Sequence, residues 1–226
     1  MSVVILVRHG RTPANAQGIL AGWSPDVHLD DVGREQAASV GARLGPLRLA
    51  AVVASPLERT QETADAISAA QRKPIAVQAD DRLGECAYGE WTGRSLKDLS
   101  RLALWRTVQD RPSAVTFPGG ESMMSMQTRA LAAVHEWNAS LGERAVYAMV
   151  SHGDVIKAIL ADALGTHLDH FQRIVVDPGS VSVIRYGRTS AQVVHVNDRG
   201  SDLTTLARAA RRRRVQADVG GGSGDR

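Results

Sequence analysis

The chain has 226 residues, 43% of them apolar and 23% charged, the proportions of a globular protein large enough for one domain with a substantial core. No apolar run approaches membrane length, Arg8 interrupts the first apolar run too early for a secretory signal, and the lone cysteine, Cys86, excludes an intramolecular disulfide and a cysteine-based metal cluster. The net charge is +3, yet six arginines against two aspartates from Arg208 onward leave about −1 for residues 1 to 207, so the body lacks the basic imbalance of a general nucleic-acid binder. The expectation is a cytoplasmic protein with no membrane or nucleic-acid partner, compatible with a homo-oligomer.

Residues 3–7 are branched and aliphatic and end abruptly at Arg8-His9-Gly10. Such a run predicts a strand covered on both faces of a parallel sheet, which would deliver Arg8 and His9 to the sheet edge where ligands bind. Thr12 and Asn15 add neutral hydrogen-bonding groups near the same edge. Residues 17–28 read as a loop with Gly18, Gly22 and Pro25, and Trp23 as a packing anchor. A helix follows, capped by Asp30 or Asp31, with Ala37, Val40, Gly41 and Leu44 on its buried face and Gly45-Pro46 at its end.

A second strand over 50–54 leads to Ser55-Pro56-Leu57-Glu58-Arg59, which reads as a helix start with Ser55 as cap and Glu58 completing a capping box. Arg59 then lies in a first helical turn at the ligand-binding edge, a candidate phosphate clamp. A short strand is predicted over 75–77. Residues 83–93, with three glycines and two aromatics, form an irregular loop in which Glu85 and Glu90 both qualify as a general acid. The stretch 96–105 is a short helical pattern, and 117–120 breaks the chain before a long helix whose apolar stripe runs from Met123 to Leu141. His135 falls on that helix's solvent side.

Residues 146–154 repeat the plan of the first strand, a buried run ending in His152-Gly153, with Asp154 able to cap a helix that buries Ile156, Ile159, Leu160, Ala163 and Leu164. Two histidines brought by two parallel strands to one edge predict a site. Two more strands over 181–186 and 192–196 finish the sheet. The tail, 208–226, is basic and then glycine-rich, and lacks an apolar pattern, so it is expected to be disordered.

Taken together, Arg8-His9-Gly10 with Asn15, Ser55-Pro56-Leu57 with Arg59 and Thr63, Glu85 with Gly89 and Gly93, Gly119-Gly120-Glu121-Ser122, and His152-Gly153 resemble the histidine phosphatase superfamily, the phosphoglycerate-mutase-like group, from Val3 to about Tyr186. The resemblance implies a three-layer α/β/α sandwich on a mostly parallel sheet, one domain over 1–207 with 85–120 as an irregular lid region. It also implies phosphoryl transfer through a phosphohistidine without metal or cofactor. His9 looks like the nucleophile, Arg8, Arg59 and His152 the phosphoryl pocket, and Glu85, rather than Glu90, the acid. Thr12, Asn15, Gly22 and Gly153 would support the substrate, a small phosphorylated metabolite.

The sequence departs from the cofactor-dependent mutases of this group. Ile19 and Ala21 stand where those carry an arginine and a threonine, Cys86 replaces the arginine after the acid, Asp154, which either tunes the pocket or caps a helix, replaces an asparagine, and no adjacent arginine pair lies between Trp91 and Gly119. Fewer charge-assisted anchors favour hydrolysis over return transfer. The rival expectations are a phosphoglycerate-type mutase and a phosphate-binding module that has lost turnover.

Overall fold

A computed structural model describes residues 2–200, so the expectation for 208–226 lies outside the described residues. In chain order the elements are β1 (Ser2–Arg8), α1 (Pro13–Gln17), α2 (Asp31–Leu44), β2 (Val52–Ala54), α3 (Glu58–Ala69), β3 (Val77–Ala79), α4 (Leu96–Leu99), α5 (Ala103–Asp110), α6 (Met123–Leu141), β4 (Val146–Ser151), α7 (Gly153–Ala163), β5 (Val181–Tyr186) and β6 (Ala191–Asp198). Among the described residues six strands form one sheet in the order β3-β2-β4-β1-β5-β6. The first four run parallel, and β5 and β6 add an antiparallel edge.

Alternation along the strands builds two cores. Val4 and Leu6 of β1 and Tyr147 and Met149 of β4 enter a cluster with Met126, Ala130 and Val134 of α6 and Ile156, Ile159 and Leu160 of α7. Ile5, Val7, Ala148 and Val150 point the other way, onto Val40 and Leu44 of α2 and Ala64 and Ile67 of α3. The result is helices on both faces of a mostly parallel sheet, the sandwich expected. No helix among the described residues is long and apolar enough to cross a membrane.

Several local expectations are corrected. Helix α3 begins at Glu58 with Leu57 as an N-cap that makes no side-chain bond, so Ser55 and Glu58 form no capping box; the Ser55 hydroxyl is engaged by His152 instead. Asp154 does not cap α7, whose N-cap is His152, because its carboxylate accepts the Tyr88 hydroxyl at 2.9 Å. Leu164 ends α7 exposed rather than buried. The third strand lies two residues later than predicted, since the Ser68 hydroxyl bonds both backbone groups of Ile75 and keeps that residue out of the ladder. The pattern over 96–105 is two helices, α4 and α5, separated by tight turns at Arg101 and Leu102. Helix α1, not anticipated, is a reciprocal cap between Thr12 and Asn15 behind Pro13.

The turn after β1 is fixed by an approach that only glycine permits. A Cβ on Gly10 would lie 2.3 Å from the Gly33 carbonyl oxygen, and one on Gly33 would lie 2.0 Å from that of Arg11. The first turn of α2 therefore packs backbone to backbone against the segment carrying His9. Intrinsic helix propensity favours alanine over glycine by about 1 kcal/mol, but the clash reverses the sign. Gly33→Ala is expected to destabilise the protein by about 2 kcal/mol or more, read as a lower urea midpoint at unchanged slope.

Candidate active site

Register brings the site together. Arg8 of β1 pairs with Ser151 of β4, and Ala54 of β2 with Val150, so the residues that follow, His9, His152 and Ser55, emerge side by side at the carboxyl edge. The His9 and His152 rings are edge to face with centroids 5.2 Å apart. Arg8, His9, Arg59, Glu85 and His152 are all buried. Glu90 is exposed, so the structure separates the two glutamates that composition left equivalent.

Hydrogen bonds assign the imidazole tautomers. His9 Nδ1 lies 2.7 Å from the Gly10 carbonyl oxygen, an acceptor, so Nδ1 carries the hydrogen and Nε2 keeps its lone pair. Arg59 Nη2 lies 3.3 Å from His152 Nδ1. A guanidinium only donates, so Nδ1 accepts there and His152 Nε2 donates to Ser55 Oγ at 2.8 Å. Burial first, then the Arg59 and Arg8 charges, hold His9 well below the usual imidazole range; burial, Arg59 and His9 do the same to His152. Both rings are therefore neutral near pH 7, and the 3.7 Å approach of Glu85 Oε2 to His152 Nδ1 is not an ion pair.

The guanidiniums are held from behind. Arg8 Nη1 donates to the Val176 carbonyl at 2.8 Å and Arg59 Nη2 to the Gly22 carbonyl at 2.8 Å. Gly22 thus serves the site through its oxygen, by fixing a clamp. Arg59 Nη1 is buried with no hydrogen-bond partner among the described residues. Thr63 accepts the Gly10 amide at 3.1 Å and returns its hydroxyl to the Arg59 carbonyl at 2.8 Å, tying the β1 turn to α3. Thr12 and Asn15 cap each other, with the Asn15 Oδ1 taken by the Thr12 amide and hydroxyl. Gly153 is the first residue of α7.

Glu85 is pushed up to about 7, chiefly by burial and next by Asp154, against the opposing pull of Arg59, the Cys86 amide and Arg8. Its loop is clamped from α6. Arg129 donates to the carbonyls of Arg82 and Gly84 at 2.8 Å and of Glu85 at 3.0 Å, while pairing with Glu121, which in turn accepts the Ala87 amide at 2.8 Å. Trp23 donates its indole N–H to the Glu85 carbonyl at 2.5 Å and stays 40% exposed, whereas Tyr88 and Trp91 are core residues. Arg129 is the contributor that sequence reasoning did not name, and Ser55, read as a helix cap, contributes through His152 instead. Among the described residues no group of three or more His, Cys, Asp or Glu is arranged to hold a metal ion. A cavity of about 750 Å³ at the opposite end of the sheet, lined by Asn138, Asp162 and Tyr186 among others, touches none of these groups.

Comparison with known proteins finds relatives over most of the chain. Residues 4–199 match the histidine phosphatase superfamily (branch 1). The chain is 32% identical over 176 residues to a glucosyl-3-phosphoglycerate phosphatase of Mycolicibacterium vanbaalenii, covering 74% of this chain and 76% of that one. It is 31% identical over 179 residues to a 2,3-bisphosphoglycerate-dependent phosphoglycerate mutase of Gloeobacter violaceus, covering 75% and 77%. Among solved structures, Bacillus stearothermophilus YhfR superimposes with a TM-score of 0.80 at 28% identity, over 88% of this chain and 98% of that one.

The raised Glu85 value is also a statement about stability. The folded state holds a proton that the unfolded chain releases at the ordinary carboxyl value, so stability present at low pH is lost as pH rises through about 7. Glu85→Gln, which mimics the neutral carboxyl, is expected to gain on the wild type by roughly 3 kcal/mol between about pH 4 and about pH 8. Denaturant titrations of both proteins at the two pH values measure it.

Proposed function

The chain belongs to the histidine phosphatase superfamily (branch 1), and from that membership we propose that it is a metal-independent phosphomonoesterase acting on a small phosphorylated metabolite through a phosphohistidine on His9. The observation that carries this reading is the His9 tautomer: the Gly10 carbonyl takes the Nδ1 hydrogen and leaves Nε2 as a neutral nucleophile among cationic donors.

In the first step the Nε2 lone pair forms a bond to phosphorus as the bond to the ester oxygen breaks, and Glu85 gives its proton to the departing alkoxide. In the second, water attacks phosphorus, the Glu85 carboxylate takes the water's proton, and the P–N bond returns its electron pair to Nε2. Negative charge on the equatorial oxygens is met by Arg8 and Arg59, fixed beforehand by the carbonyls of Val176 and Gly22. The buried Arg59 Nη1 donor supports a phosphoryl oxygen as its acceptor. His152, which donates through Nε2 to Ser55 and accepts through Nδ1 from Arg59, acts through Arg59 by holding that guanidinium in place.

The mutase relative makes phosphoryl return the second reading. Hydrolysis is favoured because Cys86, the residue after the acid, is buried in the core and presents no cation to a substrate. Ile19 is likewise committed, bridging to Ser95. Retention of a phosphorylated intermediate for return transfer would need anchors that these positions do not offer.

His9→Ala is expected to lower hydrolysis of p-nitrophenyl phosphate by more than about a thousandfold, while chelator leaves the wild-type rate unchanged; comparable turnover by the variant would overturn the reading. Glu85→Gln should lose about 10²–10⁴-fold on an alkyl phosphate and clearly less on p-nitrophenyl phosphate, whose leaving group needs little protonation. Parallel kcat measurements on the two esters test this.

A further inference from the structure

Three buried groups, two from one loop and one from the first turn of α7, meet behind the site. Tyr88 Oη lies 2.9 Å from Asp154 Oδ2 and 3.3 Å from Glu85 Oε1. All three residues are buried. A phenol has one hydrogen and these contacts ask for two, because an ionised carboxylate can only accept. With both carboxyl groups ionised, one of the two contacts would set lone pairs against each other in a dry interior. One extra proton removes the conflict.

The surroundings decide where that proton goes. Asp154 has the shorter Tyr88 contact and Lys157 Nζ 3.7 Å from its other oxygen, with Lys157 itself seated over the Phe171 ring and bonded to Gln172. Glu85 faces Arg8 and Arg59, His152 Nδ1 at 3.7 Å, the Cys86 amide and, across its loop, Glu121 and Arg129. The two arginines already hold carbonyl oxygens and His152 Nδ1 already accepts from Arg59, so no ring hydrogen is offered to Glu85.

Resting on the reading of Glu85 as the proton donor, we propose that Tyr88 and Asp154 are positioning residues for Glu85: the Tyr88 hydroxyl gives its hydrogen to ionised Asp154 while Glu85 carries a proton, and turns it onto Glu85 when that proton has gone to the leaving group. The hydroxyl thus serves Asp154 while Glu85 is neutral and Glu85 once both carboxylates are charged, and no proton leaves the pair's surroundings beyond the one delivered to the ester oxygen and recovered from water. Asp154, left by the turning hydroxyl, keeps Lys157.

The test is the pH dependence of kcat on glycerol 2-phosphate for the wild type and Asp154→Asn. Removal of the second negative charge is expected to move the alkaline limb down by on the order of one pH unit, with KM nearly constant and the acid-side kcat held within several-fold. A fall in kcat at every pH with the limb unmoved would overturn the proposal, since a merely structural defect does that. A measurement on the wild type needs neither the variant nor turnover: carbon-13 NMR of carboxyl-labelled glutamate and aspartate. The Glu85 resonance, assigned from Glu85→Gln, should titrate near neutrality; Glu85 titrating as an ordinary carboxyl would overturn it. Absence of phosphatase turnover in the wild type would strike the functional reading instead and leave the NMR result to judge the pair.

Discussion

The site depends on one pairing, that of β1 with β4 in parallel and in the register that sets Arg8 opposite Ser151. Side chains in a strand alternate faces, so a slip of one residue would exchange the two cores along the whole strand. The apolar alternation of Val4, Leu6 and Ile5, Val7 therefore specifies the register. The juxtaposition of His9 and His152 follows from it, because they are the next residues out. The same carboxyl edge receives Ser55 from β2, whose amide continues the ladder onto Val150.

What was legible in the sequence was whatever periodicity and strand ends encode. The two histidine-glycine strand termini, the buried face of α2, the stripe on α6 and the antiparallel edge strands all appear where the pattern placed them. Ser55 and Asp154 were read through local grammar as helix caps, and in both cases a tertiary partner outweighed the local one, His152 for the serine and Tyr88 for the aspartate. Local signals of this kind are worth about 1 kcal/mol, less than leaving a buried polar group unmatched. The network joining Tyr88 to Asp154 spans 66 residues, and no spacing rule could have announced it. Composition left Glu85 and Glu90 equivalent; the family resemblance pointed to Glu85, and burial separates the two.

Concentrating two guanidiniums, two carboxyl groups and two imidazoles in a buried volume is costly, and the structure limits the cost by neutralising some groups and saturating others. The imidazoles stay uncharged. Backbone carbonyls of Val176 and Gly22 take guanidinium hydrogens without introducing further charge, and Glu85 keeps its proton into the neutral range. Stability surrendered in this way is characteristic of sites arranged for reactivity.

The clamp made by Arg129 bears on how this architecture can diversify. The loop carrying Glu85 is held from outside as well as by its own turns; three of its carbonyls and one of its amides are satisfied by Arg129 and Glu121, from α6 and the residues just before it. Grafting a relative's acid-bearing loop into this scaffold therefore means transplanting both of those side chains with it. Swapped alone, the segment would arrive without the hands that fold it.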